Sequence, residues 1–298
     1  MVNSIRDLHQ LARKGAPRTI AVACAHDEEV LASLDRAAAD GLVHPLLVGR
    51  RAEIDALRAR LSLDRLEAET LDCSGDAEAV ELAVRSVASG KAQMLMKGLV
   101  STSVFLKGVL NKEWGLRKRA LLSHVGVFEI PDQHRLLLIT DVAMSIAPDL
   151  VQKAQILENA VELAHQLGID RPRVAALAAV ENVNAEMPAT IDAAALAKMA
   201  DRGQIKGCVV DGPLALDNAL VAEAARHKGI TSAVAGCADI LLVPNIETGN
   251  VLYKALGLLA GWPLAAVVLG ASVPVVLTSR ADSDETKFNS IALAAAVS

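Results

Sequence analysis

This sequence predicts an α/β fold of two mostly parallel domains with a cleft between them, and three observations carry that expectation. Short aliphatic, β-rich runs alternate with helical periodicity along the whole of the 298 residues, which is the pattern of βαβ units. The composition is 52% hydrophobic with only three Phe, two Trp and one Tyr. Core packing therefore rests on aliphatic side chains, as parallel strands covered on both faces require. The carboxyl ends of several expected strands are polar, and that is where open parallel sheets bind ligands.

The elements follow in order. RTIAVACA (18–25) reads as a strand, and HDEEVLASLDRAAADG as a helix stopped at Gly41. VHPLLVG is a second strand, RRAEIDALRARL a second helix and LEAETLDC a further strand candidate. GDAEAVELAVRSVASG is a helix, and AQMLMKG (92–98) a strand running into a Ser/Thr-rich helix start. The middle breaks this rhythm: LLSHVGVFEI and RLLLITDVA flank the polar PDQH (131–134), the pattern of an antiparallel hairpin. APDLVQKAQILENAVELAHQLG is then a long helix. A second βα series follows: PRVAALAAV, a helix after MPATIDA, GCVVDG, a helix over ALDNALVAEAARHKG, and ADILLVP. A helix from Thr248, the strands LAAVVL and PVVLT and a final helix in ETKFNSIALAAA complete the chain.

With no Pro- or Gly-rich linker in sight, the hairpin is the expected crossing point between domains. The expected division is residues 1–125 with 280–298 in one domain and 126–279 in the other, the final apolar helix packing back on the first.

The formal charge of −5 and pI of about 5.8, with so few aromatics, argue against a nucleic-acid binder. Residues 255–277 carry no charge, but Gly257, Gly261, Pro263, Gly270 and Pro274 divide them. They read as a helix end, a turn and two buried strands and not as a membrane span. Cys24, Cys73, Cys208 and Cys237 form no C-x-x-C pair, so neither a metal site nor a disulfide framework is expected. MVNSIRDLHQLARKG has amphipathic helix character without a signal peptide's apolar core. A cytoplasmic enzyme is the expectation.

Three segments carry candidate chemistry. In MKGLVSTSVFLKG, Lys97 ends a strand and Ser101, Thr102 and Ser103 open a helix. Unpaired amides and the helix dipole favour an anion there, with Lys97 or Lys107 adding charge, although hydroxyls of this kind also serve as plain helix caps. Neither a P-loop nor a G-x-G-x-x-G is present. In LLVPNIETGNVLYKALG (241–257), Asn245, Thr248 and Asn250 surround Gly249, which permits close backbone approach to a ligand, ahead of Tyr253 and Lys254. In VPVVLTSRADSDETKFNSIALAA (273–295), an apolar strand delivers Thr278, Ser279 and Arg280 to its carboxyl end. An Arg there grips phosphate through a forked set of donors, and Ser279 is placed to donate to a forming oxyanion. Asp282, Asp284 and Glu285 supply either a base or helix-capping carboxylates. His26, His124, His134 and His165 show no catalytic or metal spacing, and Cys24 reads as a small buried side chain.

MLMKGLVSTSVFLKGVL, LITDVAMSIAPDL, VDGPLALDNAL, VPNIETGNVLYKAL and PVVLTSRADSDETKFNSIALAA, in that order, resemble the phosphate acetyl/butyryltransferase family, closer to its butyryltransferase branch. They run from about residue 92 to 295, while the first ninety residues match only in general α/β character. The resemblance implies an isocitrate-dehydrogenase-like pair of domains with the active site in the cleft, and a homodimer or higher homo-oligomer. It implies the exchange acyl-CoA plus phosphate for acyl phosphate plus CoA on short acyl chains, with no metal or redox cofactor and CoA as substrate. Family positions fall on Ser279 and Arg280 at the reacting centre, on Lys107, on Asp141 with Ala143, and on Asn245, Gly249, Asn250, Tyr253 and Lys254. The acetyltransferases' proposed base aligns with Thr286, which cannot take a proton at neutral pH, so Glu285 is the favoured substitute and Asp284 the second. Two rival readings are a two-domain NAD-dependent dehydrogenase and a non-catalytic phosphometabolite-binding protein on the same scaffold.

Overall fold

The structure is a computed structural model describing residues 1–64, 66–114, 116–279 and 282–298. In chain order, the first stretch holds α1 (Ile5–Ala12), β1 (Arg18–Ala23), α2 (Glu28–Ala39), β2 (Val43–Gly49), α3 (Arg51–Arg60), β3 (Glu69–Asp72), α4 (Asp76–Ala88), β4 (Met94–Lys97) and α5 (Thr102–Val109). The hairpin is β5 (Ser123–Ile130) and β6 (Arg135–Thr140), followed by α6 (Leu150–Gln166), β7 (Arg173–Leu177), α7 (Pro188–Asp201), β8 (Val209–Leu214), α8 (Leu216–Leu220), α9 (Ala222–His227), β9 (Ile240–Leu242) and α10 (Ile246–Lys254). After a π-helical turn at Ala255–Leu259 come β10 (Leu264–Leu269), β11 (Val275–Val276) and α11 (Asp284–Ala296).

The chain divides into two compact units. One comprises Ile5–Ala120 with Ala265–Ser298, the other Met1–Ser4 with Leu121–Leu264. In the first, strands lie in the order β3-β2-β1-β4-β11-β10. All neighbours there are parallel except β11 with β10. Ile20 to Ala23 of β1 are wholly buried, which is why that strand is a continuous aliphatic run and not an alternating one. Asp27 caps α2 by accepting from the Val30 amide at 3.0 Å, and the helix buries Val30, Leu31, Leu34 and Ala37 at the three-to-four spacing of one face. Residues Lys287 to Ala295 of α11 are all buried, so the helix is covered on every side beyond its exposed first turn.

In the second unit the order is β5-β6-β9-β7-β8, with β5 and β6 antiparallel and the others parallel. Asp149 and Gln152 form a reciprocal capping box that starts α6. One sequence expectation fails here, because the helix over ALDNALVAEAARHKG is two short helices with extended backbone at Val221. The carbonyls of Asn218 and Ala219 accept from the amides of Gly236 and Ala238, at 2.8 and 3.2 Å, in place of amides four residues on. Non-local bonds thus outcompete the helical ladder. Gly236 fits because a Cβ there would lie 2.5 Å from the Ala222 Cα.

The uncharged stretch from 255 resolves into the π-helical turn, β10 and β11. Among the described residues no helix is long and apolar enough to cross a membrane.

Candidate functional site

In the first unit the β1–α2–β2 and β4–α5 connections leave β1 and β4 in opposite lateral directions, since the order there is β2-β1-β4-β11. The diverging loops open a gap at the carboxyl edge, the usual position of a ligand in such sheets. Leu99 donates to the Cys24 carbonyl at 2.8 Å, and Gly98 to that of Ala23 at 2.8 Å. A Cβ at Gly98 would sit 2.2 Å from the Cys24 carbonyl oxygen, so only glycine allows the β4 loop this close to the end of β1.

A small recess lies at this point, lined by Asp27, Glu29, Lys97, Thr278, Ser279 and Lys287 together with residues 98 to 100. Lys97 curls over the turn, its Nζ donating to the Gly98 and Val100 carbonyls at 3.1 and 3.2 Å. Ser101 is the N-cap of α5, accepting from the Val104 amide at 3.3 Å, with Ser103 Oγ 3.2 Å from its own. Ser101, Thr102, Ser103 and Lys107 are solvent-exposed.

β11 ends beside the recess. The Ser279 amide donates to Asp282 Oδ2 at 2.7 Å and the Asp282 amide returns a bond to the Ser279 carbonyl at 3.2 Å, closing the loop on itself. Arg280 lies outside the described residues. Ser283 caps α11, accepting from the Thr286 amide at 3.2 Å, with Thr286 Oγ1 3.0 Å from its Oγ.

Neither Glu285 nor Asp284 lines the recess. The Glu285 carboxylate is held by Arg36 of α2, with contacts of 2.5 and 3.5 Å, and that guanidinium lies 3.8 Å over the Phe288 ring. Asp284 is exposed at the first helical position, three residues before Lys287 and therefore on its side of the helix. Sequence reading missed Lys287, which looks like an ordinary surface lysine and is buried. Its one sequence signal is the run that begins directly after it, with Phe288 and Ile291 to Ala295 apolar.

The remaining candidates lie in the second unit. Asp141, only 3% exposed, follows β6. Its Oδ1 accepts from the amides of His124, Ala143 and Met144, and its Oδ2 from that of Ser145. Burial pushes its pKa up while these bonds pull it down. The carboxylate is the organising centre of the 141–145 loop.

A Cβ at Gly249 would be 2.2 Å from the Asp141 carbonyl oxygen, so glycine lets α10 lie on that loop. Asn250 Nδ2 donates to the Val142 carbonyl at 3.3 Å. Asn245 caps α10, accepting from both the Thr248 amide at 3.0 Å and its hydroxyl at 2.7 Å. Lys254 is exposed, and Tyr253 packs edge-on against Phe128 at 5.6 Å.

Asn245 and Thr248 also stand at a cavity of about 570 Å³, lined mainly by apolar residues including Leu177, Met187, Leu216 and Val251. Among the described residues no cluster of three His, Cys, Asp or Glu is placed to hold a metal ion.

A family model described as phosphate acetyl/butaryl transferase matches residues 76–295. The phosphate butyryltransferase of Clostridium acetobutylicum is 50% identical over 297 residues, covering 100% of this chain and 99% of its own. The phosphate acetyltransferase of Thermotoga maritima is 46% identical over 98% of both chains. A crystal structure of a branched-chain phosphotransacylase from Enterococcus faecalis V583 superposes with a TM-score of 0.82 at 35% identity, covering 94% of this chain and 99% of that one. The similarity thus takes in the first ninety residues, which the five motifs alone did not reach.

Proposed function

The chain belongs to the phosphate acetyl/butaryl transferase family, and from that premise we propose that it converts a short-chain acyl-CoA, acetyl to butyryl, and phosphate into acyl phosphate and CoA. The dehydrogenase reading is the weaker one, since the relatives are named phosphate acyltransferases. The observation that carries the proposal is the meeting of Ser279, Lys97 and the β4–α5 turn at the point where the sheet's connections diverge.

In the acyl-phosphate-consuming direction the CoA thiolate attacks the carbonyl carbon. A C–S bond forms, the bond from the carbonyl carbon to the bridging oxygen breaks, and phosphate leaves as the anion with that oxygen. Ser279 donates to the oxyanion, Arg280 holds the phosphate through its planar fork, and Lys97 adds positive charge beside them. Asp284 takes the thiol proton, a role supported by its position on the Lys287 side of α11 while Arg36 occupies Glu285. Ser101, Thr102, Ser103 and Lys107 offer anion contacts to the substrates, as do Asn245, Thr248, Asn250 and Lys254. Asp141 and Gly249 shape the loop that presents the latter group. No metal or redox cofactor takes part in this scheme, and CoA is substrate throughout.

The same reading makes the protein a cytoplasmic homo-oligomer. The exposed apolar side chains Val251, Leu258 and Leu259, at 67, 63 and 87% exposure, support assembly.

Thiol release from acetyl-, propionyl- and butyryl-CoA with and without phosphate tests the function. Phosphate-dependent release indifferent to a chelator is expected. Release that a chelator abolishes and a divalent ion restores overturns the metal-free scheme, and no release from any of the three overturns the activity.

A further inference from the structure

Two lysines are buried among the described residues, Lys153 and Lys287. Lys153 is paired with Asp192 at 2.6 Å, between α6 and α7. Lys287 is different because it lines the recess that holds Ser279 and Lys97. It is 3% exposed, and its Nζ donates to Glu29 Oε2 at 2.7 Å and to the Asp282 carbonyl at 2.5 Å.

An ammonium has three N–H groups, so these two bonds fix its direction and leave one donor. The arrangement is poor as a device for stability. Burying an ammonium is costly, its partner carboxylate is 53% exposed and so retains much of its own solvation, and an apolar side chain of similar volume packs at less cost. The positive charge has its value at the recess. The acidic groups there are already occupied, with Asp27 capping α2 and Glu29 paired with Lys287 itself.

We propose that Lys287 binds the phosphate substrate through its remaining N–H, held in place by Glu29 and the Asp282 carbonyl. The inference rests on the acyltransferase reading above and adds to it a phosphate contact on the second turn of α11. A cation fixed by two bonds and shielded from water interacts strongly with an anion and needs no reorganisation when the anion arrives. Because Lys287 grips the carbonyl of Asp282, the residue that closes the Ser279 loop, it also ties phosphate binding to the geometry of that loop.

The test compares the full-length protein with Lys287→Met and Lys287→Arg. Inorganic phosphate binding is read by calorimetry, and the KM values for phosphate and acyl-CoA are measured separately. Lys287→Met is expected to weaken phosphate binding and raise the phosphate KM at least tenfold, leaving the acyl-CoA KM within twofold, with partial recovery in Lys287→Arg. Phosphate affinity within twofold of wild type in Lys287→Met, or equal losses for both substrates, overturns the proposal.

Calorimetry needs no turnover, so a wild type that binds phosphate in a Lys287-dependent way without releasing CoA sinks the activity and leaves this contact standing. A wild type that does not bind phosphate sinks the contact. If Lys287→Met does not fold, Glu29→Gln decides, since it keeps the ammonium and loosens its orientation. Phosphate affinity reduced threefold or more supports the proposal, and unchanged affinity overturns it.

Discussion

Arg36 and Glu285 are 249 residues apart in sequence, and the guanidinium of one meets the carboxylate of the other at 2.5 Å while resting on the Phe288 ring. That contact turns Glu285 toward α2 and leaves Asp284 on the Lys287 side of α11. Glu285→Gln is expected to keep kcat within about threefold and to cost no more than the roughly 1 kcal/mol of an exposed ion pair. Asp284→Asn is expected to lower kcat by the roughly hundredfold typical of a lost general base. Steady-state rates from pH 6 to 9 check both. The reverse ranking restores Glu285 as the base, and full turnover in both variants removes the α11 carboxylates from the proton transfer.

His124 is buried, neither ring nitrogen has a hydrogen-bond partner among the described residues, and burial lowers its pKa to about 4. Between pH 6.5 and 4 the unfolded chain binds a proton at this residue that the native state refuses. The stability His124 allows is therefore complete above pH 6.5 and lost as pH falls toward 4, by roughly 3 kcal/mol. His124→Phe removes the proton-binding site and keeps a ring beside Tyr253. Denaturant unfolding at pH 4.5 and 7 is expected to show a smaller pH-dependent loss in the variant, and identical losses in both proteins would refute the assignment.

Gly98 and Gly249 each place their Cα where a Cβ would meet a backbone carbonyl oxygen at 2.2 Å. Alanine at either site has to displace main chain, at a cost of about 1–3 kcal/mol or more. Gly98→Ala moves the β4 loop at the recess, and Gly249→Ala lifts α10 from the Asp141 loop. Both are expected to lower activity at least tenfold as well as the thermal midpoint. Wild-type activity in either would mean that the corresponding loop does not serve the reaction.

Leu259 is 87% exposed and Val251 67%. A homo-oligomer that covers this apolar face is expected to weaken when a charge is buried in it. Leu259→Glu combined with Val251→Glu should lower the mass seen by analytical ultracentrifugation at micromolar concentration. An unchanged oligomer would place the interface elsewhere.

The parts of this protein written in local sequence were its strands, its helices and the order in which they alternate. The hairpin around PDQH became β5 and β6, and the uncharged run after 255 became a turn and two strands, because aliphatic periodicity and turn residues act on neighbours within a few positions. The candidate residues around Ser279 and Asn245 were legible for a related reason, whereas Asp141 was singled out only by the family resemblance. Ser279 and Asn245 each stand at the end of an apolar run, and strand ends in parallel sheets are where polar groups gather.

Tertiary structure alone decided what depends on partners distant in sequence. The helix expected over 215–229 parted at Val221 because amides from 236 and 238 took its carbonyls. Glu285 faces α2 because Arg36 is there to hold it. Lys287 lies inside because Glu29 of α2 and the loop closed by Asp282 meet its ammonium. Helix periodicity places a side chain on a face, but which neighbour covers that face, and whether it brings charge, is set by packing across the whole unit.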